Sequence, residues 1–307
     1  MSDAGGSRSL KADAVLVGVT FVWGTSFVVV KNAFAGSPPL QFLFWRFLIA
    51  TAILAPLVLR RAKTPGLLRD GMIVGALLAG GMCLQVLGVP STTASKAAFL
   101  TGLSVVLTPF AAYLRSRKLP SLENAAGVTL AGAGFLLLTY PADGAHFNRG
   151  DALVFACGVV FAFYIVELGE RSARHDAIWL TMIQLGAVAI VAGFASLVLR
   201  APLFAVLAEG AAEHRPVVWE GTFLWSVLYL GSVGTVGTFF GQTWAQARMS
   251  ATHAAILFAL EPVFAAILAA WVLGDRLGGR GISGALLVLA GIVVSETRFA
   301  KSRLPAT

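Results

Sequence analysis

The chain is a succession of long apolar runs separated by short polar breaks. Runs long enough to cross, or nearly cross, a hydrocarbon layer about 30 Å thick fall at about 13–32, 40–59, 69–89, 94–113, 123–140, 151–169, 178–199, 223–247, 252–272 and 281–298. None alternates as a barrel strand does, and each is roughly twice a barrel strand's length, so each predicts a helix. The pattern predicts an all-α membrane protein with ten transmembrane helices.

Composition strengthens that reading. Of the 307 residues 57% are hydrophobic and only 12% charged, too few to cover a water-facing surface. The net charge of +8 fits Lys/Arg-rich cytoplasmic loops better than a nucleic-acid partner. With the N-terminus in the cytoplasm, 15 Lys and Arg lie on the inner side and 7 on the outer, while Arg46 lies within a span. This bias predicts a bacterial inner-membrane protein with both termini cytoplasmic. Trp179, Trp225, Trp271, Tyr113 and Tyr140 fall near span ends, as an aromatic belt would. Cys83 and Cys157 sit inside apolar runs and read as small core residues. Residues 1–12 and 299–307 read as polar tails, and no cleavable signal peptide is apparent.

The two halves align to each other. "ADAVLVGVTFVWGTSF" from Ala12 matches "GDALVFACGVVFAFYI" from Gly150, pairing Asp13 with Asp151 and, further along, Arg46 with Gln184. After a longer loop, Gly80 falls on Gly237, Gln85 on Gln242, and "ASKAAFL" from Ala94 on "ATHAAIL" from Ala251. "LAG" from Leu130 matches "LAG" from Leu289. The expected units are 13–140 and 151–298, each of five spans. An odd number of spans inverts the second copy, giving a pseudo-two-fold axis in the membrane plane that suits alternating access.

"FVWGTSF" from Phe21, "WRF" from Trp45, "ALEPVFAAILAAWVLGDRL" from Ala259 and "GALLVLAGI" from Gly284 resemble the EamA-type branch of the drug/metabolite transporter superfamily. The first half departs further, with Ser104 opposite Glu261. The resemblance implies ten helices in two repeats and export or exchange of small organic solutes. It is greatest to YddG-type bacterial exporters, which implies amino acids as substrates, with aromatic ones favoured. Other metabolites or drugs are the alternative, and a non-transporting membrane receptor a more remote one.

The polar residues within the runs are the candidates for chemistry. Pro262 cannot donate to the carbonyl of Phe258, so the ninth helix should kink there. Glu261, at the same place, should face a cavity or be protonated and paired. It can bind a cation or proton, anchor a substrate ammonium, or cap the broken helix. Arg46 can grip a substrate carboxylate, snorkel outward, or hold backbone carbonyls. Its neutral mate Gln184 favours structural glue. Gln85 and Gln242 can line a cavity or bond between helices. Lys96 and His253, mates at opposite faces, suit interfacial or gate roles, and Glu167 reads as interfacial. Trp23, Tyr164 and Trp244, with Thr25 and Ser26, suit the wall of an amphipathic-ligand site. Substrate-cavity candidates are thus Trp23, Ser26, Gln85, Tyr164, Gln242 and Glu261. Gate or structural candidates are Arg46, Lys96, Gln184 and His253. Gly231, Gly234, Gly237 and Gly241 form a small-residue stripe and, with Pro262, are the hinge candidates.

No HExxH, GxSxG or phosphate-loop pattern occurs, no paired midplane aspartates, and no ring of like charges or carbonyl filter. An enzyme and a channel are both disfavoured, and no cofactor or metal is expected. The expected partners are a small-molecule substrate and lipid, and a monomer suffices.

Overall fold

A computed structural model describes residues 10–34, 38–92, 94–117, 119–139, 147–200, 213, 221–265, 267 and 279–301; the side chains of 25–34, 94–96, 138–139, 222 and 295–301 lie outside that description. The helices are α1 Leu10–Phe34, α2 Pro39–Val58, α3 Leu67–Gly88, α4 Ala94–Ser116, α5 Leu122–Thr139, α6 Arg149–Ser172, α7 Ala177–Arg200, α8 Gly221–Gly231, α9 Thr238–Gln246, α10 Ala251–Phe258 and α11 Gly279–Lys301. A π-helical segment, Ser232–Gly237, joins α8 to α9. There is no strand among the described residues. Among the described residues, six helical stretches are long and apolar enough to span a membrane, and three shorter apolar helices accompany them.

The outer surface is oily. Ile190, Phe194 and Leu197 on α7 are 71%, 69% and 71% exposed, and Leu286 and Val293 on α11 are 61% and 63% exposed. Such a surface is stable only against lipid. The interior holds two main apolar clusters. One gathers Leu16, Leu43, Phe47, Val74, Leu78, Leu168, Leu185, Phe239 and Leu257 from α1, α2, α3, α6, α7, α9 and α10. The other gathers Val105, Val128, Ala131, Ile256, Leu260 and Val288 from α4, α5, α10, α11 and the turn after α10.

Packing pairs the elements in a regular way. α2 lies along α7, and α5 along α11. α3 packs on α6 and α7, and α4 on α6. α1 packs on α9 and α10. Lipid tails give helices no hydrophobic reason to associate, so close backbone approach matters. It is close on both sides of the α5–α11 pair. A Cβ added at Gly134 would lie 2.5 Å from the Gly284 carbonyl oxygen, and one at Gly291 would lie 2.6 Å from that of Gly127.

Helix ends carry local signals. Asn148 and Asp151 form a reciprocal capping box at the start of α6. The Ser250 side chain accepts from the His253 N–H at the start of α10. Pro39 occupies the first turn of α2, where its missing N–H costs nothing.

The ninth run breaks between Phe258 and Pro262, at the carbonyl that the proline leaves without its helical donor. α10 ends at Phe258, Ala259 and Leu260 form a turn, and helix resumes over 261–265. The Leu260 N–H donates to the Leu257 carbonyl at 3.1 Å, tightening the turn that leads into the proline. One expectation needs correction: the glycine stripe of the eighth run is not one smooth face, because the π turn shifts its register. Gly231 backs onto Arg46 and Ile49 of α2, Gly241 onto Val15 and Val19 of α1, and Gly237 has nothing within 4 Å of an added Cβ.

Candidate functional site

The polar and aromatic candidates gather around the α8–α9 rod. A buried hydrogen-bond network lies beside α9. The Tyr164 hydroxyl of α6 is 2.9 Å from Gln184 Oε1 of α7 and 3.4 Å from Gln242 Oε1 of α9. Gln184 Nε2 donates to Thr243 Oγ1 at 2.9 Å. Gln242 Nε2 donates to Gln246 Oε1 at 3.0 Å, and Gln246 Nε2 to the Ile165 carbonyl at 3.1 Å. All five side chains are buried, and each amide shares its polarity with its neighbours, as an apolar medium requires.

Arg46 approaches the rod from α2. Its Nε donates to Thr235 Oγ1 at 2.6 Å and its Nη2 to the Gly234 carbonyl at 3.2 Å. Both partners belong to the π-helical segment. The guanidinium therefore holds backbone, one of the readings open from sequence. Thr235, whose hydroxyl receives it, is buried. Nothing in the sequence marked that threonine, because "SVGTVG" reads as ordinary helix.

Below Arg46 lies an aromatic cluster. Trp23 of α1 is 5.7 Å from the Phe239 ring and 5.5 Å from the Phe258 ring, and Phe47 is 5.8 Å from Phe239. Gly24, next to Trp23, meets the other side of the ninth-run break. A Cβ there would stand 3.0 Å from the Glu261 carbonyl oxygen and 3.2 Å from the Ala265 nitrogen. The "WG" pair of α1 thus stacks on Phe258 with one residue and admits the Glu261 backbone with the next. Glu261 itself is partly exposed. Gln85 stands apart from these groups and donates to Thr101 Oγ1 at 3.3 Å across α3 and α4.

At the face where α1 begins, His253 Nε2 lies 3.1 Å from Asp13 Oδ1, joining α10 to α1. At the opposite face Thr92 donates to Asp151 Oδ1, joining the start of α6 to the end of α3. The side chains of Ser26 and Lys96 lie outside the described residues.

Sequence reading undervalued the charged groups at the first face. Arg115 Nε donates to Glu167 at 2.8 Å and its Nη2 lies 3.2 Å from Glu170. Arg171 bridges Glu167 and Asp70, and Asp70 also meets His175 at 2.9 Å. This lattice ties together the ends of α3, α4 and α6. Beside it opens a cleft of 260 Å³ bordered by Ser116, Gly169, Glu170, Ser250 and Thr252.

On the opposite face Glu213, in the segment between α7 and α8, is buried against the start of α2. Its Oε2 accepts the Leu40 N–H at 3.1 Å, its Oε1 accepts the Ser196 hydroxyl, and its carbonyl accepts Arg200 Nε at 3.1 Å. Burial raises its pKa above the ordinary glutamate value, an effect that the Ser196, Leu40 and Arg200 contacts only partly offset.

The chain matches the EamA-like transporter family twice, over residues 10–140 and 148–297. An uncharacterized transporter of Archaeoglobus fulgidus is 30% identical over 298 residues, covering 96% of this chain and 89% of that one. A protein of Escherichia coli K12 named as a probable amino-acid metabolite efflux pump is 30% identical over 303 residues, covering 90% of this chain and 92% of its own. A solved crystal structure superposes with a TM-score of 0.76 at 19% identity, covering 97% of this chain and all of its own, and so shares the fold. The helices, their lipid-facing surface and the double family match agree: the chain is a multi-pass membrane protein that belongs to the EamA-like transporter family.

Proposed function

We propose that this protein exports amino acids, aromatic ones preferred, across a bacterial inner membrane by alternating access. The observation that carries the reading is the set of polar and aromatic groups around the α8–α9 rod. A cationic Arg46, the ring cluster of Trp23, Phe47, Phe239 and Phe258, and the carboxylate of Glu261 belong to elements packed on one another. Such a set offers complementary chemistry to a zwitterion with an apolar side chain. The Escherichia coli relative named as a probable amino-acid metabolite efflux pump favours the same substrate class.

The mechanism follows from two inverted five-span repeats, 13–140 and 151–298, between the tails 1–12 and 299–307. Element packing supports this division. α1 on α9 and α10 is the counterpart of α6 on α3 and α4, while α2 on α7 and α5 on α11 are self-matched pairs. Exchanging the two halves' conformations would open one face and close the other. Gly231, Gly234, Gly237, Gly241 and Pro262 supply the bending positions. Both termini lie in the cytoplasm, on the side carrying Arg61, Arg115 and Arg171. The reading needs no cofactor and is compatible with a monomer. Lys96 with His253 guards the two entrances, and Ser26 and Gln85 complete the cavity wall.

The test is counterflow of radiolabelled phenylalanine, tryptophan and threonine in proteoliposomes. Saturable counterflow that prefers the aromatic pair is expected. Folded protein that moves none of the three ends the amino-acid assignment and points to other metabolites or drugs.

A further inference from the structure

Arg46 carries a permanent positive charge within a membrane span, yet its two hydrogen bonds among the described residues go to neutral acceptors, the Thr235 hydroxyl and the Gly234 carbonyl. A guanidinium has five N–H donors in a planar fork. Two of them are used here. The residue as a whole is partly exposed, and its other donors have no hydrogen bond among the described residues. An uncompensated cation in a low-dielectric setting is costly, and a planar anion that meets the fork relieves that cost. The acceptor it now holds is a backbone carbonyl in a π-helical turn, where the regular ladder of hydrogen bonds is already displaced.

We propose that Arg46 is the residue that recognises the transported solute's carboxylate, and that it releases the Gly234 carbonyl when it does so. This rests on the transport reading above and names the chemical group that the site selects. Thr235 stays beside the guanidinium as its positioning partner. A carboxylate takes the donors that face the Gly234 oxygen, because a charged acceptor outcompetes a neutral one for the same N–H groups. Solute occupancy is thereby transmitted to the rod's central turn. Arg46→Lys keeps the charge but loses the fork, and Arg46→Gln loses both.

The experiment compares radiolabelled phenylalanine with phenylalaninamide, which keeps ring and ammonium but lacks the carboxylate, in proteoliposome counterflow and in ligand-induced thermal stabilisation. Wild-type protein should favour the acid by about tenfold to a hundredfold, as expected when a charge-assisted contact is lost. Arg46→Gln should lose that preference while still moving the amide, and Arg46→Lys should fall between. Equal handling of acid and amide by the wild type overturns the inference and leaves the transport reading standing, without recourse to any variant. An unchanged preference in Arg46→Gln also overturns it. Folded wild-type protein that neither moves nor is stabilised by either compound overturns both.

Discussion

Single buried side chains set the first expectations. Gln184 donates to Thr243 and accepts from Tyr164 with no water-exposed surface. Gln184→Ala should therefore remove both bonds, leaving the Tyr164 hydroxyl only its 3.4 Å contact with Gln242, and cost about 1–3 kcal/mol, measured by unfolding in mixed detergent. Tyr164→Phe should cost less, because only one hydroxyl is withdrawn. Glu213 makes a pH prediction. Its folded pKa is raised by burial, so its protonation favours the fold. That contribution is complete below the ordinary value of 4.5 and is lost as pH rises through the folded value. Wild-type melting temperature should fall across that window, and Glu213→Gln, whose oxygen can still accept from Leu40 while its amide N–H can donate to the Ser196 hydroxyl, should remove that part of the slope. Such residues differ in how legible they are in sequence. Glu261–Pro262 announces itself, since a charge and a helix breaker are both expensive in an apolar run. Asp13 and His253 are 240 positions apart, and no local pattern says that they meet. Glu213 lies in the polar stretch "EHR" between two apolar runs, where an acid is unremarkable until tertiary structure buries it.

At the scale of elements, the helix interfaces show what periodicity can and cannot foresee. The apolar runs located the helices because hydrocarbon leaves the backbone few other options. They could not reveal the π turn at Ser232–Gly237, since glycine spacing of three and four is compatible with ordinary helix and the extra residue is fixed by neighbours such as Arg46. Nor did they single out α5 and α11. Gly134 and Gly291 stand where a side chain would strike the partner's backbone rather than a movable group. Gly134→Val or Gly291→Val should lower stability by about 1–3 kcal/mol through overpacking. Gly18 has nothing within 4 Å of an added Cβ, and its replacement by Ala should be nearly neutral. Comparing the three variants' unfolding midpoints checks the contrast.

For the whole molecule, the two halves meet through unlike fastenings. Asp13 with His253 joins α1 to α10 at one face, and Thr92 with Asp151 joins the end of α3 to the start of α6 at the other. Asp13→Asn should loosen the first without touching the second. A cysteine placed at Ala251, beside the cleft, should then react with a membrane-impermeant maleimide about fivefold faster, the equivalent of losing roughly 1 kcal/mol. An unchanged rate would mean that this contact does not hold that face shut. The π turn has a mechanical consequence of its own. A π turn accommodates about one residue more than an α turn. Rewinding it would therefore act as a screw, turning α9 against α8 by about 100°. Gln242 and Thr243 would swing away from Tyr164 and Gln184, so one turn of backbone holds the registry of four helices at once.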